Sequence, residues 1–202
     1  MSNGIYPKAV WLPGPENKTG YEWPNDVPER TGKGTLYHSA EGRKESGFAL
    51  LFSDVPVSWT GTIAYDGTAY QHYHCSEITW HGGGPGVNCR FDGWEFEGRV
   101  GEPLTTPQVE TAIDLTWWKS HEEKWPYFRY EKDTGTLHQH SWYYPTLCPS
   151  GRIPFYYIIE RLNAMATELD ILRLQLKLVE LAAQGKTQEL ANVLTFVGVK
   201  VG

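Results

Sequence analysis

Apolar and polar positions divide the chain into three stretches of different character. Residues 1–33 show no period and are dense in Pro, Gly, Asn and Asp ("WLPGPENKTGYEWPNDVPERTGKG"), which predicts an ordered but irregular arm pinned to a surface by Trp11, Tyr21 and Trp23. Alternation begins after that. "GTLYHSAEG" (34–42) predicts a short strand, "SWTGTIAYDGTAYQHYH" (58–74) a hairpin turning at Asp66-Gly67, and "RFDGWEFEGR" (90–99) another strand. The apolar run "GFALLFS" (47–53) fits a strand or a short helix equally well, because periodicity alone does not separate the two. Between Leu104 and Trp125 a helix is predicted: Thr106-Pro107 suits a first turn, and Val109, Ile113, Thr116 and Trp117 recur near helical spacing. Strand, hairpin, strand and helix in this order indicate an α/β domain.

From Ile158 the period changes. Ile158, Leu162, Met165, Leu169, Leu172, Leu176, Val179 and Ala183 alternate four and three apart, the seam of a coiled coil. Ile171, Leu174, Leu178 and Leu181 form a second stripe on another face. Gly185 ends this helix, and "TQELANVLTF" predicts a short second one capped by Thr187. Two apolar stripes on one helix predict partners on both sides, and so a homo-oligomer formed through this element. The expected organisation is an arm (1–33), a catalytic-size domain (34–160) and a C-terminal helical extension (161–202).

Composition narrows the function classes. The 202 residues are 40% hydrophobic and 21% charged, enough to bury a core. Nine tryptophans and twelve tyrosines suit that core, and also suit stacking on the apolar faces of sugars. A net charge of −6 argues against nucleic acid, which is bound by neutralising phosphates with Lys and Arg. No run of eighteen apolar residues predicts a membrane span. The N-terminus lacks the basic-then-apolar pattern of a signal peptide, and three cysteines make no disulfide framework, so synthesis in a reducing cytoplasm is expected.

The candidate chemistry lies in seven histidines and one cysteine. In "HSWYYPTLCPSG" (140–151), Cys148 follows His140 by eight positions and sits in a Pro/Gly-bounded loop, a setting that suits a thiolate ligand. Zinc needs three or four such bases converging from different elements. His138 and His140 share a face if extended, and spacing does not choose between them. "HYHC" (72–75) offers a second cluster in principle, although strand alternation favours burial of Cys75; Cys89 has no evident partner.

The series "LYHSAEG", "GTIAYDGTAYQHY", "TWHGGGPGVN", "DGWEFEGR" and "HSWYYPTLCPSGRIP" resembles, in order, the zinc-dependent N-acetylmuramoyl-L-alanine amidases. That family includes phage amidase-type lysozymes, bacterial recycling amidases and peptidoglycan-recognition proteins. The resemblance runs from about residue 34 to 160. It implies a central mixed β-sheet flanked by helices, with Zn2+ held by His38, His140 and Cys148. It also implies hydrolysis of the amide between N-acetylmuramic acid and L-alanine in peptidoglycan by a zinc-activated water.

Within that resemblance Glu95 matches a catalytic glutamate, with Glu97 two positions on as a rival, and Thr146 matches a residue facing the developing oxyanion. His81, Trp59, Asn88 and Arg152 fall in the expected substrate groove; for His81 a supporting or packing role is an alternative, and for Arg152 a salt bridge. The family often has a Tyr-His pair before the hairpin, the tyrosine aiding catalysis. Here the pair is Trp59-Thr60, and an indole has no phenolic proton. The arm and the heptad tail favour a phage or prophage endolysin acting on the wall after release. A cytoplasmic muropeptide-recycling amidase and a non-catalytic peptidoglycan-binding relative are the alternatives, and Cys148 favours hydrolysis over binding alone.

Overall fold

Strand β2 (Gly34–Ser39) is buried at every position because it lies between two parallel neighbours, β5 (Phe91–Phe96) and β6 (Leu137–Gln139). The computed structural model describes residues 4–20 and 34–196. Four further elements precede or separate these strands: β1 (Val10–Trp11), α1 (Lys44–Leu51), and the hairpin strands β3 (Gly61–Ile63) and β4 (Ala69–Gln71). The mixed six-stranded sheet runs β1-β4-β3-β5-β2-β6, with β3 and β4 antiparallel and every other pair parallel. A short helix α2 (Pro85–Asn88), the long α3 (Thr106–Glu123) and the first turns of α4 (Phe155–Ala183) complete the unit that ends at Glu160.

Local chemistry explains the elements. The hairpin turns where Asp66 Oδ1 accepts from the Thr68 amide and Gly67 takes φ +83°. Helix α3 opens with a capping box: the Thr105 hydroxyl accepts from the Gln108 amide while the Gln108 side chain accepts from the Thr105 amide. Its buried residues are Gln108, Ala112, Ile113, Leu115, Thr116, Lys119 and Ser120; of the predicted stripe, Ile113 and Thr116 are buried while Val109 and Trp117 are half-buried. Polar residues are tolerated there because they are satisfied. Gln108 Nε2 donates to the Ile63 and Glu97 carbonyls, and Lys119 pairs with Asp92 at 3.3 Å. The ambiguous run 47–53 resolves as the end of α1, with only Leu51 buried.

The arm differs from the irregular segment expected. Its residues 10–11 extend the sheet as an edge strand, and its anchors are Tyr6 and Lys18 rather than Trp11, which is exposed. Tyr6 is buried, and its amide donates to Gln71 Oε1; Lys18 Nζ donates to the Leu51 carbonyl at 2.7 Å. Tyr21 and Trp23 lie outside the described residues.

The second unit, Arg161–Gly202, holds the rest of α4 and α5 (Thr187–Phe196). Gly185, at φ +66°, closes α4 as the Lys186 amide donates to the Leu181 carbonyl. The Leu190 amide donates to the Lys186 carbonyl, so Lys186 rather than Thr187 occupies the cap position of α5. The two stripes of α4 part company here. In the second stripe Leu174 and Leu178 are half-buried and Leu181 is buried, with Ile171 exposed, whereas Leu172, Leu176 and Val179 of the first are 61%, 61% and 66% exposed. Among the described residues no helix is long and apolar enough to cross a membrane.

Candidate metal centre

Strand register assembles the site. His38 lies opposite Glu95 across β2 and β5, and Tyr37 lies opposite Gln139 across β2 and β6, so His140 follows β6 directly beside His38. Three adjacent parallel strands thus deliver His38, Glu95 and His140 to one edge, at the carboxyl ends where α/β sheets place ligands. The turn after Tyr144 brings in Cys148. One ligand atom from each of His38, His140 and Cys148 lies within 4.8 Å of the others.

Hydrogen bonding fixes which nitrogen each ring offers. His81 Nε2 lies 3.1 Å from the Phe91 carbonyl, which can only accept, so that nitrogen carries the proton. His81 Nδ1 is then an acceptor, and His38 Nε2, 3.0 Å away, donates to it. His38 Nδ1 is left with a free lone pair, 3.7 Å from Cys148 Sγ and 3.8 Å from Glu95 Oε1. Burial, followed by the neighbouring His81 and His140, lowers the pKa of His38 and keeps it neutral. Burial likewise lowers that of His140, whose Nε2 is buried with no hydrogen-bond partner among the described residues. Cys148 Sγ accepts from the Ser39 amide at 3.3 Å. Burial, then the nearby Glu95 carboxylate, pushes the thiol up to about 12, a shift that a bound cation would oppose. Two neutral imidazoles and a thiol with bare lone pairs are a donor set suited to a divalent metal ion.

Glu95 reaches this cluster and Glu97 does not. Glu97 lies one residue past β5, is buried, and accepts from the Tyr65 amide. Glu95 Oε2 is buried without a partner among the described residues. Burial, then the charge of Glu41, raises its pKa to about 8. A groove of about 620 Å³ opens beside the cluster, walled by Trp80, Pro56, Val57, Tyr144 and His140. His81 and Asn88 line it too. Asn88 Oδ1 accepts from the Gly82 and His81 amides and so pins the loop that carries His81. Gly93 makes room for this histidine: a Cβ there would lie 2.4 Å from the His81 ring.

The family model for N-acetylmuramoyl-L-alanine amidase matches residues 26–151, more than half of the chain. The chain belongs to this amidase family. Among solved structures, the endolysin N-acetylmuramoyl-L-alanine amidase LysCS from Clostridium intestinale URNW is 21% identical with a TM-score of 0.55, over 79% of this chain and 98% of that one. A selenomethionine AmpD derivative is 16% identical with a TM-score of 0.59, over 80% and 98% of the two chains. PlyL is 14% identical with a TM-score of 0.59, over 76% and 96%. At these identities the likeness is one of fold. No curated protein matches the sequence.

The remaining residues singled out from the sequence of this amidase-family chain fall around the cluster rather than in it. The Thr146 hydroxyl accepts from the Cys148 amide at 3.2 Å, beside the ligand turn, and keeps its own proton free to donate. Trp59 is 6% exposed and packs with Leu51 and Tyr73; its Nε1 donates to the Thr62 hydroxyl. An indole so enclosed presents no face to the groove. Arg152 forms no salt bridge among the described residues. It is buried and donates to Ser39 Oγ and to the Phe96, Glu97 and Glu102 carbonyls. His138, the alternative to His140, is fully engaged: Nε2 faces the Gly135 carbonyl and Nδ1 the Tyr143 hydroxyl. "HYHC" does not converge either, since His72 bonds Thr62 and the Leu12 carbonyl while Cys75 is buried next to Asp92 and Gln71. Sequence reasoning missed Tyr144, whose ring stacks on His140 at 5.7 Å, and Trp80. Both sit in polar or glycine-rich contexts with no periodic signal.

Proposed function

We propose that this chain hydrolyses the amide bond between N-acetylmuramic acid and L-alanine in peptidoglycan, with His38, His140 and Cys148 holding a zinc ion. The observation that carries this is the convergence of those three ligand atoms within 4.8 Å, with His38 Nδ1 facing Cys148 Sγ and Glu95, and His140 Nε2 buried without a hydrogen-bond partner among the described residues. Zinc in such a site supplies Lewis acidity and a water acidic enough to act near neutral pH. The protein's own residues do the rest. His81 holds His38 in the tautomer that frees Nδ1, a supporting bond of the kind that orients metal-ligating imidazoles. Glu95, with its bare Oε2 and raised pKa, is placed to take a proton from water and return it to the leaving alanine nitrogen. Thr146 offers its hydroxyl proton to the oxygen of the scissile carbonyl. Trp80, Tyr144 and the prolines of the groove present apolar surface to sugar and peptide.

Incubation with purified cell wall tests the reading. New N-terminal alanine amines should appear with Zn2+ present, and new reducing sugar ends should not. Reducing ends without amines would mean a glycosidase, and no product with zinc present would defeat the enzymatic claim.

We further propose a lysin role, supported by the helical second unit, which is additional to the sheet domain. The bare stripe Leu172, Leu176 and Val179 supports self-association through α4. Sedimentation of the full chain against its Leu172→Lys, Leu176→Lys double variant tests that part; equal masses would remove it.

A further inference from the structure

His38 and His140 are set by strand register, but Cys148 sits on an irregular turn that no sheet bond fixes. Besides the Ser141 amide, which donates to the Cys148 carbonyl at 2.9 Å, what holds it is a polar knot at the end of β2, buried at Ser39 and Arg152 and exposed at Glu41. The Ser39 amide donates to Cys148 Sγ at 3.3 Å. The Ser39 hydroxyl donates to Glu41 Oε1 at 2.7 Å and accepts from Arg152 Nη1 at 2.7 Å, so its proton and one of its two lone pairs are used. The same Glu41 oxygen accepts from the Ser150 hydroxyl at 3.1 Å, two residues beyond the cysteine, and Oε2 accepts from the Val100 amide at 2.8 Å. Arg152 anchors the knot to the strand end through the Phe96, Glu97 and Glu102 carbonyls. Room for it depends on Gly98, at φ +129°, where a Cβ would lie 1.8 Å from Arg152 Nη2. Ser150 is itself left-handed at φ +58°, a conformation that persists only where surroundings over-determine it.

We propose that Ser39, Glu41 and Arg152 are positioning residues that hold the Cys148 turn against the end of β2, presetting the thiol for the metal. The proposal rests on the metal reading above. Glu41 is its centre, because one carboxylate oxygen joins the strand that carries His38 to the turn that carries Cys148. None of the three need touch substrate, since their polar atoms are engaged with one another, with Ser150 and with backbone groups.

The test measures Zn2+ affinity of the full chain by competition with a chromophoric chelator, together with the rate at which Cys148 reacts with a disulfide reagent in the metal-free protein. Cys75 and Cys89 are buried, so the half-buried Cys148 dominates that reaction. Glu41→Ala should weaken zinc binding by about tenfold, the scale of lost support around metal ligands, and speed the thiol reaction severalfold. Glu41→Gln keeps an acceptor for Ser39 and Ser150 and should restore most of the affinity. Ser150→Ala removes one peripheral bond and should weaken binding by roughly threefold, which keeps the proposal testable should Glu41→Ala fold poorly. A purely structural role would lower thermal stability while leaving zinc affinity and thiol reactivity at wild-type values, and that result overturns the clamp. Wild-type protein that binds no Zn2+ would overturn the metal reading and the clamp with it.

Discussion

Strand β5 carries two acidic residues three positions apart, and their surroundings are opposite. Asp92 is saturated: it accepts from the Thr35 hydroxyl, the Trp94 indole and the Lys119 ammonium, and Cys75 Sγ lies 3.9 Å away. Glu95 has His38 Nδ1 at 3.8 Å and an Oε2 with no partner among the described residues. The histidines divide the same way. His72 ends a closed relay, from Trp59 Nε1 to Thr62 to its own Nε2, with Nδ1 facing the Leu12 carbonyl, whereas His38 Nδ1 faces the Cys148 thiol and His140 Nε2 is buried without a partner among the described residues. Buried polar groups that are fully paired hold a fold together. Buried polar groups left bare, beside one another and beside a groove, are the ones available for chemistry.

Substitutions on the two sides of that divide should behave differently. Glu95→Gln should lower the rate of cell-wall hydrolysis by roughly 10²–10⁴-fold, the range for losing a general acid–base group, with zinc still bound. Asp92→Asn should act on stability instead. It removes one of the two carboxylates that pair with Lys119, Glu123 being the other, a loss of about 1–3 kcal/mol readable by denaturant unfolding, while the folded fraction keeps its specific activity.

The pH dependence of the metal-free protein sharpens the contrast. With its pKa raised from 4.5 to about 8, folded Glu95 binds more protons than unfolded Glu95 across that window. Stability should therefore fall as pH rises through it, and Glu95→Gln should remove that slope in thermal melts at pH 5 and pH 9. The smallest effect belongs to the saturated side. Trp59→Phe forfeits one donated bond to Thr62, about 1 kcal/mol, and hydrolysis by the folded protein should not change.

Much of this was legible in the residues. The hairpin at Asp66-Gly67, the strands around His38 and Glu95, and the long helices follow from alternation, turn chemistry and spacing, which are local signals. The ligand set needed more, because spacing alone left His138 and His140 equivalent. Only the family resemblance favoured one, and in the fold the choice is visible as His138 spending both nitrogens on Gly135 and Tyr143. Glu95 and Glu97 were likewise equivalent by alternation until the strand ended between them. What the residues did not disclose is long-range: the edge strand made by the arm, the Tyr144 ring on His140, and Arg152 spent on carbonyls rather than on an acid. Each depends on a partner that carries no periodic mark, 60 residues away for the edge strand, 4 for Tyr144 and 50 to 56 for Arg152.

Metal stoichiometry in wild-type protein and in Cys148→Ala, measured by elemental analysis after loading and gel filtration, tests the central claim most directly. One zinc per wild-type chain and substantially less in the variant are predicted. Equal zinc in the two would contradict the assignment of His38, His140 and Cys148 as the metal-binding set.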